Sequence, residues 1–344
     1  MLKKIVNPLV VSAVALLPLM SACSSDSKTE TKASEPVKKE VAAVKSGKDF
    51  NLKPKKVAEG IYCMFGVLDG PTKENAGFMS NSCYIETDGS WVLWDTGATY
   101  KFAEQAYAAM KKIKDMPVST VLLSHEHDDH WLGAGYYQKN FGAKVIGTEL
   151  IAKHFVPGHE AETRMYRILN PEDVEGTKII TVDETAKEGT TTYNIGGLEM
   201  KYVSLGKAHS EDDYLLYIPS KKVVLAADVI MNGRITSNRD GSVLGQIKAI
   251  KTVKNLDWDV CVPGHGFITD KTATDESTLY FKLLKERILK ALDDDVEATE
   301  INEVVTLPEF KKAAMYDMLN SNNVSAAYTE LEMADDPEAP EYSF

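Results

Sequence analysis

The sequence predicts an α/β protein in which two packed sheets carry helices on their outer faces, an αββα sandwich. Three observations lead there. Both halves of the chain contain sets of short strand-like runs separated by helix-like segments. Histidines and aspartates gather at the C-terminal ends of several of those runs. With 344 residues and 44% hydrophobic content, the chain can bury a full core, and one large domain with appendages fits better than two equal ones. The expected organisation is a leader over residues 1–23, a tether over 24–52, the sandwich over 53–298, and a helical extension with a loose acidic end over 299–344.

The leader begins with Lys3 and Lys4, continues through an apolar stretch broken by Asn7, Pro8 and Pro18, and ends in Met20-Ser21-Ala22-Cys23. It is too short and too broken for a membrane-spanning helix. It resembles a bacterial lipobox, which implies lipidation of Cys23, a membrane partner through that anchor, and a place on the periplasmic side of the cell envelope. Ser24 in place of Asp points to the outer membrane in a diderm host. Residues 24–52 are mostly Ser, Thr, Lys and Glu, a composition that cannot offset its own ordering entropy and reads as a flexible tether.

Strands are expected at 57–65 and 80–87, then at 90–95 after the Asp88-Gly89 turn. The loop 66–79 between the first two either overhangs the site or is a plain solvated connection. Phe102, Ala106, Ala109, Met110 and Ile113 recur at helical spacing over 101–114. The run Val118, Val121, Leu122, Leu123 reads as a strand, followed by helices at 131–139 and 149–155 around a strand at 144–147. Further strands are expected at 178–182, 191–195, 198–203, 214–218, 223–227 and 259–262, with helices at 243–255 and 275–292 and helical material over 298–332.

Six residues after the strand at 118–123 hold the chemistry. His125, His127, Asp128, Asp129 and His130 stand together in a chain with only 7 histidines. Side chains alternate along an extended segment, so His125 and His127 fall on one side and can share a cation. The turn into the next helix swings Asp129 and His130 to a second position. Imidazole and carboxylate are ligands that zinc accepts at about 2.0 to 2.2 Å; iron and manganese are also chemically compatible. His209, Asp228 and His265 follow, each at the end of a predicted strand.

This pattern, His-x-His-x-Asp-His followed by a distant His, Asp and His, resembles the metallo-β-lactamase superfamily. Asp95-Thr96-Gly97 resembles its N-terminal Asp-Thr-Gly turn, and the likeness covers about residues 57 to 292. It implies the four-layer αββα fold and two Zn(2+) ions per chain. His125, His127 and His209 would hold one ion, Asp129, His130 and His265 the other, and Asp228 would bridge them. A bridging hydroxide would attack an ester, thioester, lactone or related bond of a small molecule, with Asp129 and Asp228 as the catalytic carboxylates and Asp95 supporting a ligand histidine. Many antibiotic-destroying members place Cys or Ser where this chain has Asp228, which favours ester chemistry over β-lactam hydrolysis. The Gly233-Arg234 loop and the C-terminal segment resemble a secreted subgroup associated with quinoprotein and sulfur-oxidation pathways. A β-lactamase, a mononuclear iron persulfide oxygenase and an accessory metal-binding lipoprotein are the rival readings.

Arg234 and Asn238 are the expected substrate contacts, Arg234 because a guanidinium grips a carboxylate or sulfate with two prongs. An ordinary salt bridge is its alternative role. Glu126 and Asp128 are given no chemistry. His154, Lys207 and Tyr214 are unranked as proton donors, and His154 and His159 read as surface or rim residues. Net charge of -12 without a basic stripe argues against a nucleic-acid partner. Cys63 and Cys83 fall on neighbouring predicted strands, as a disulfide or as two buried thiols, and Cys261 reads as core.

Overall fold

The computed structural model describes residues 47–344. Cys23 and tether residues 24–46 lie outside the described residues. The first sheet has seven strands in sequence order: β1 (Lys55–Ala58), β2 (Ile61–Met64), β3 (Ser82–Thr87), β4 (Ser90–Trp94), β5 (Val118–Leu122), β6 (Lys144–Gly147) and β7 (Glu184–Thr185). Its first four strands form an antiparallel meander, and β4 to β7 run parallel. Parallel neighbours require crossovers. These are α1 (Tyr100–Lys111), the pair α2 (Asp128–Trp131) and α3 (Ala134–Phe141), and the group α4 (Glu149–His154), α5 (Arg164–Ile168) and α6 (Pro171–Val174).

The second sheet comprises β8 (Thr190–Ile195), β9 (Leu198–Gly206), β10 (Asp213–Ile218), β11 (Val223–Met231) and β12 (Val260–His265), ordered β12-β11-β10-β9-β8. Helices α7 (Val243–Asn255), α8 (Asp275–Asp293), α9 (Ile301–Val304) and α10 (Tyr316–Met333) follow the strands they cover. Among the described residues no helix is long and apolar enough to cross a membrane.

Strand parity builds the four layers. In β4, Val92 and Trp94 face the second sheet with Leu122, Tyr202, Tyr214 and Leu225, whereas Trp91 and Leu93 face α1 and α3. Each buried side chain of this size contributes about 1.5 to 3 kcal/mol. Helix α1 starts where Thr99 Oγ1 accepts from Phe102 N at 3.1 Å, and it buries Phe102, Ala103, Ala106 and Met110. Strands β10 and β11 are buried along their whole length, which explains their continuous apolar runs. Residues of α7, α8 and α10 share one core cluster on the outer face of the second sheet.

Several expectations need correction. The segment 178–182 is not a strand: Ile179 N bonds to Glu160 Oε1 and Gln138 Nε2 bonds to Thr181 O, so side chains take the groups a ladder would use. The ladder partner of β6 is the two-residue β7. The helix expected over 131–139 is broken at Leu132-Gly133 into α2 and α3. Order also begins earlier than residue 53. Phe50 packs edge-on against Phe78 and Phe102, and Lys48 N bonds to Asp173 Oδ1 at 2.7 Å.

Cys63 and Cys83 face each other across β2 and β3 and form a disulfide. It closes a loop of 20 residues that contains the 66–79 segment. Removing it by a Cys63→Ala/Cys83→Ala double substitution is expected to lower stability by about 3 kcal/mol through the freed unfolded chain. The denaturant midpoint measures this, and an unchanged midpoint would remove the stabilising role. Cys261 is a buried free thiol.

Candidate metal centre

The site lies at one end of the two sheets, where β5, β9, β11 and β12 deliver their last residues. Beyond β5, Asp95 accepts from Ser124 N at 2.9 Å through Oδ1, which fixes the chain as it leaves the sheet toward His125. His127 is the extended residue that begins α2, and the single turn of α2 carries Asp129 and His130 inward. The loop after β9 is pinned by Asp213 Oδ2, which accepts from Ser210 N and Ala208 N and so presents His209. Asp228 was expected at a strand end. It lies instead inside β11, beside Ala227 with φ of 45° and a break in register with β12, which turns its carboxylate into the site. Gly264 permits this: a Cβ there would sit 1.9 Å from Asp228 Oδ1.

Seven side chains converge in two groups. His125, His127, His209 and Asp228 form one, and Asp129, His130 and His265 the other. In the first, His127 Nδ1 lies 3.1 Å from His125 Nε2 and 2.9 Å from His209 Nε2, and His209 Nε2 lies 3.1 Å from Asp228 Oδ2. In the second, His265 Nε2 lies 3.4 Å from Asp129 Oδ2, and His130 Nε2 lies 3.5 Å from it. Asp228 reaches both groups, with Oδ1 3.1 Å from His130 Nε2 and Oδ2 3.3 Å from His265 Nε2.

The donors fit cations. Asp129 Oδ2, His130 Nε2 and Asp228 Oδ1 are buried and make no hydrogen bond among the described residues, which costs about 1 to 3 kcal/mol for each such group. Four of the five histidines are held from behind by their other ring nitrogen. His130 Nδ1 is 2.8 Å from Asp95 Oδ2, and His265 Nδ1 is 2.7 Å from Met79 O. His125 Nδ1 meets Ser124 Oγ, which itself donates to Asp95 Oδ2 at 2.8 Å. His127 Nε2 is 3.2 Å from Asp240 Oδ2. Burial pulls His127 down to about 4 and His125 well below its ordinary value, which keeps both rings neutral with lone pairs free. At His130 burial opposes charge, yet Asp228, Asp129 and Asp95 outweigh it and hold the ring well above its ordinary pKa. A cation arriving there displaces that proton.

Arg164 has no signal in the sequence. Its Nη2 lies 2.7 Å from Asp129 Oδ1 and its Nε bonds to Asp128 Oδ1 at 3.1 Å, while Asp128 Oδ2 accepts from Met165 N. Asp128 thus anchors the arginine that points Asp129 Oδ2 at the centre. Ser124 and Asp240 were equally missed, since neither spacing nor residue type marks them.

Above the donors opens a cavity of about 400 Å³ walled by Asp69 to Thr72, so the 66–79 loop overhangs the site. Arg234 lines it and is buried, with contacts of 3.4 Å to Asp69 O, Ile235 O and His265 Nδ1 and no ion pair among the described residues. The salt-bridge alternative for Arg234 therefore falls. Asn238 does not reach the cavity: it is buried, its backbone N–H bonds to Asn323 Oδ1, and its neighbours Ser237 and Arg239 line the wall instead. His154 and His159 are exposed and do not line the cavity. Lys207 pairs with Glu211, and Tyr214 stacks on Tyr202 between the sheets.

The sequence profile of the metallo-beta-lactamase superfamily matches residues 75–265, more than half of the chain. The chain belongs to the metallo-beta-lactamase superfamily. Among relatives in this superfamily of metal-dependent hydrolases, an alkyl/aryl-sulfatase of Saccharomyces cerevisiae is 21% identical over 78% of this chain and 48% of its own. A metallo-beta-lactamase of Chryseobacterium indologenes is 27% identical over 63% of this chain and 83% of its own. The chain spans about half the length of the yeast protein and 56% of an uncharacterised Methanocaldococcus jannaschii protein that it also matches. Among solved structures, a Pseudomonas sec-alkylsulfatase superposes with a TM-score of 0.60 at 18% identity, covering 84% of this chain and 52% of its own. A metallo-beta-lactamase from Pontibacter korlensis superposes at 0.54 and 21% identity, covering 67% and 99%. These superpositions concern the αββα fold. Divalent cations, typically zinc, are what this superfamily binds, and the donor set described above suits them.

Proposed function

We propose that the protein is a binuclear zinc hydrolase acting on an ester, thioester, lactone or related bond of a small molecule. The observation that carries this reading is Asp228, whose two oxygens face both donor groups at once. His125, His127 and His209 would hold one ion and Asp129, His130 and His265 the other, with Asp228 between them. Zinc bound there supplies Lewis acidity and lowers the pKa of water to about 7.

The chain's own residues do the rest. Asp129, whose Oδ2 is buried and makes no hydrogen bond among the described residues, would also orient the attacking water. The water oxygen bonds to the acyl carbon, and the C–O or C–S bond breaks. Its electron pair leaves on the alcohol or thiol, which takes up the proton given up by the attacking water. Arg234, a buried cation with no ion pair among the described residues, would receive an anionic group of the substrate. The 66–79 loop supplies Asp69 to Thr72 and Met79 to the cavity wall.

The test pairs elemental mass spectrometry with a hydrolysis panel of thioesters, lactones, carboxylic esters, sulfate esters and β-lactams. Two zinc ions per chain and turnover of the acyl substrates are expected. A single iron with oxygen uptake on persulfides would overturn the reading, and turnover of β-lactams or sulfate esters alone would overturn its choice of bond.

A further inference from the structure

The matched family region ends at His265, yet the cavity is completed by residues from the far end of the chain. Ala314 is stitched beside Arg234: Ala314 N bonds to Gly233 O at 3.0 Å, and Ile235 N bonds to Ala314 O at 3.1 Å. Met315 follows with φ of 65°, a conformation uncommon for a side chain of its kind. That kink starts α10 over the cavity, so Met315, Met318 and Leu319 form one wall facing Ile168. The helix is fixed in place lower down, where Asn323 Nδ2 bonds to Thr236 O at 2.7 Å and to Tyr280 Oη at 2.8 Å.

The result is a two-sided pocket. Arg234 and the donor groups make its floor charged, and the first turn of α10 makes its lip apolar. Met318 leaves 65% of its surface exposed at that lip, so apolar area remains there for a substrate group to bury. Methionine side chains are flexible and polarizable, so the lip can mould itself to apolar groups of varied shape, an unbranched chain among them.

We propose that the first turn of α10 is the subsite for an aliphatic chain on the substrate. The substrate class is then an aliphatic carboxylic ester or thioester, its acyl carbon over the metal centre and its chain along Met315, Met318, Leu319 and Ile168. This rests on the hydrolase reading for the bond cleaved, while the subsite itself is a statement about binding.

The test is therefore calorimetric. Acetate, butanoate, hexanoate and octanoate are titrated into the zinc-loaded protein, and the same acyl chains are offered as thioesters for turnover. Alkanoate affinity is expected to rise with length, by up to about fourfold per methylene. In Met318→Ala, the octanoate-to-acetate affinity ratio is expected to fall about tenfold, and Met318→Ala/Leu319→Ala is expected to flatten the series. The exposure of Met318 makes the single variant a safe one to fold, and a thermal melt confirms it. A series flat in the wild type, or equally steep in both variants, overturns the subsite. A steep alkanoate series with no turnover of thioesters, carboxylic esters or lactones keeps the subsite and sinks the hydrolase reading. Turnover independent of chain length with a flat alkanoate series does the reverse.

Discussion

Asp228→Ala is expected to lower metal content from two ions per chain to one or none, and hydrolytic activity by well over 100-fold. The reference for that magnitude is the loss of a residue that merely supports a ligand, which already costs about 10- to 100-fold. Asp228 does more, because its oxygens stand 3.1 Å from both His130 Nε2 and His209 Nε2 and 3.3 Å from His265 Nε2. Burial alone would raise its pKa, but His265, His130 and His209 together hold the carboxyl well below the usual range. The alanine variant therefore leaves three buried rings without their shared counter-charge. Wild-type protein is also expected to release protons on metal loading near neutral pH, since His130 must give up its proton, and the variant should release fewer. Metal analysis and loading in weak buffer measure both effects. Retention of two ions at wild-type affinity in Asp228→Ala would show that the carboxylate does not join the two groups.

Asp95→Ala is expected to cost about 3 to 5 kcal/mol of stability and, in whatever fraction stays folded, about 10- to 100-fold in zinc affinity. Asp95 is fully buried and accepts three hydrogen bonds, from Ser124 N, Ser124 Oγ and His130 Nδ1. Its backbone is left-handed, with φ of 53°, a conformation that aspartate and asparagine tolerate better than alanine. Asp95→Asn separates the two losses. It keeps the shape and the backbone preference, so the melting temperature should recover in large part. The amide cannot anchor the His130 N–H as a carboxylate does, so zinc affinity should remain low. Equal recovery of both quantities in the asparagine variant would mean that Asp95 is only a structural residue.

The two donor groups were legible because ligand chemistry is written in residue type. Few side chains can bind zinc, and most of the donors follow closely on a strand end, Asp228 inside β11 being the exception. The layers were legible from periodicity, as the alternation in β4 and the continuous run of β11 show. What stayed hidden was held by contacts between distant segments. Arg164 meets Asp128 and Asp129 across 36 and 35 positions, and nothing local marks it. Arg234 was found from its type, whereas Asn238 was misplaced because neighbouring loop residues alternate between wall and core. The segment 178–182 has the composition of a strand, but its hydrogen bonds were claimed by Glu160 and Gln138.

Glu330 carries a consequence for how this protein can be divided. Its carboxylate accepts from Val243 N and Leu244 N, the first free amides of α7, while Val324, Ala327 and Leu331 share a core with Ile247 and Ile250. The last fifty residues are thus a keystone and not an ornament, because the stretch the family profile outlines, residues 75–265, is buttressed by a stretch that profile does not cover. Grafting experiments that exchange the outlined region between relatives would carry a roof without its ridge beam.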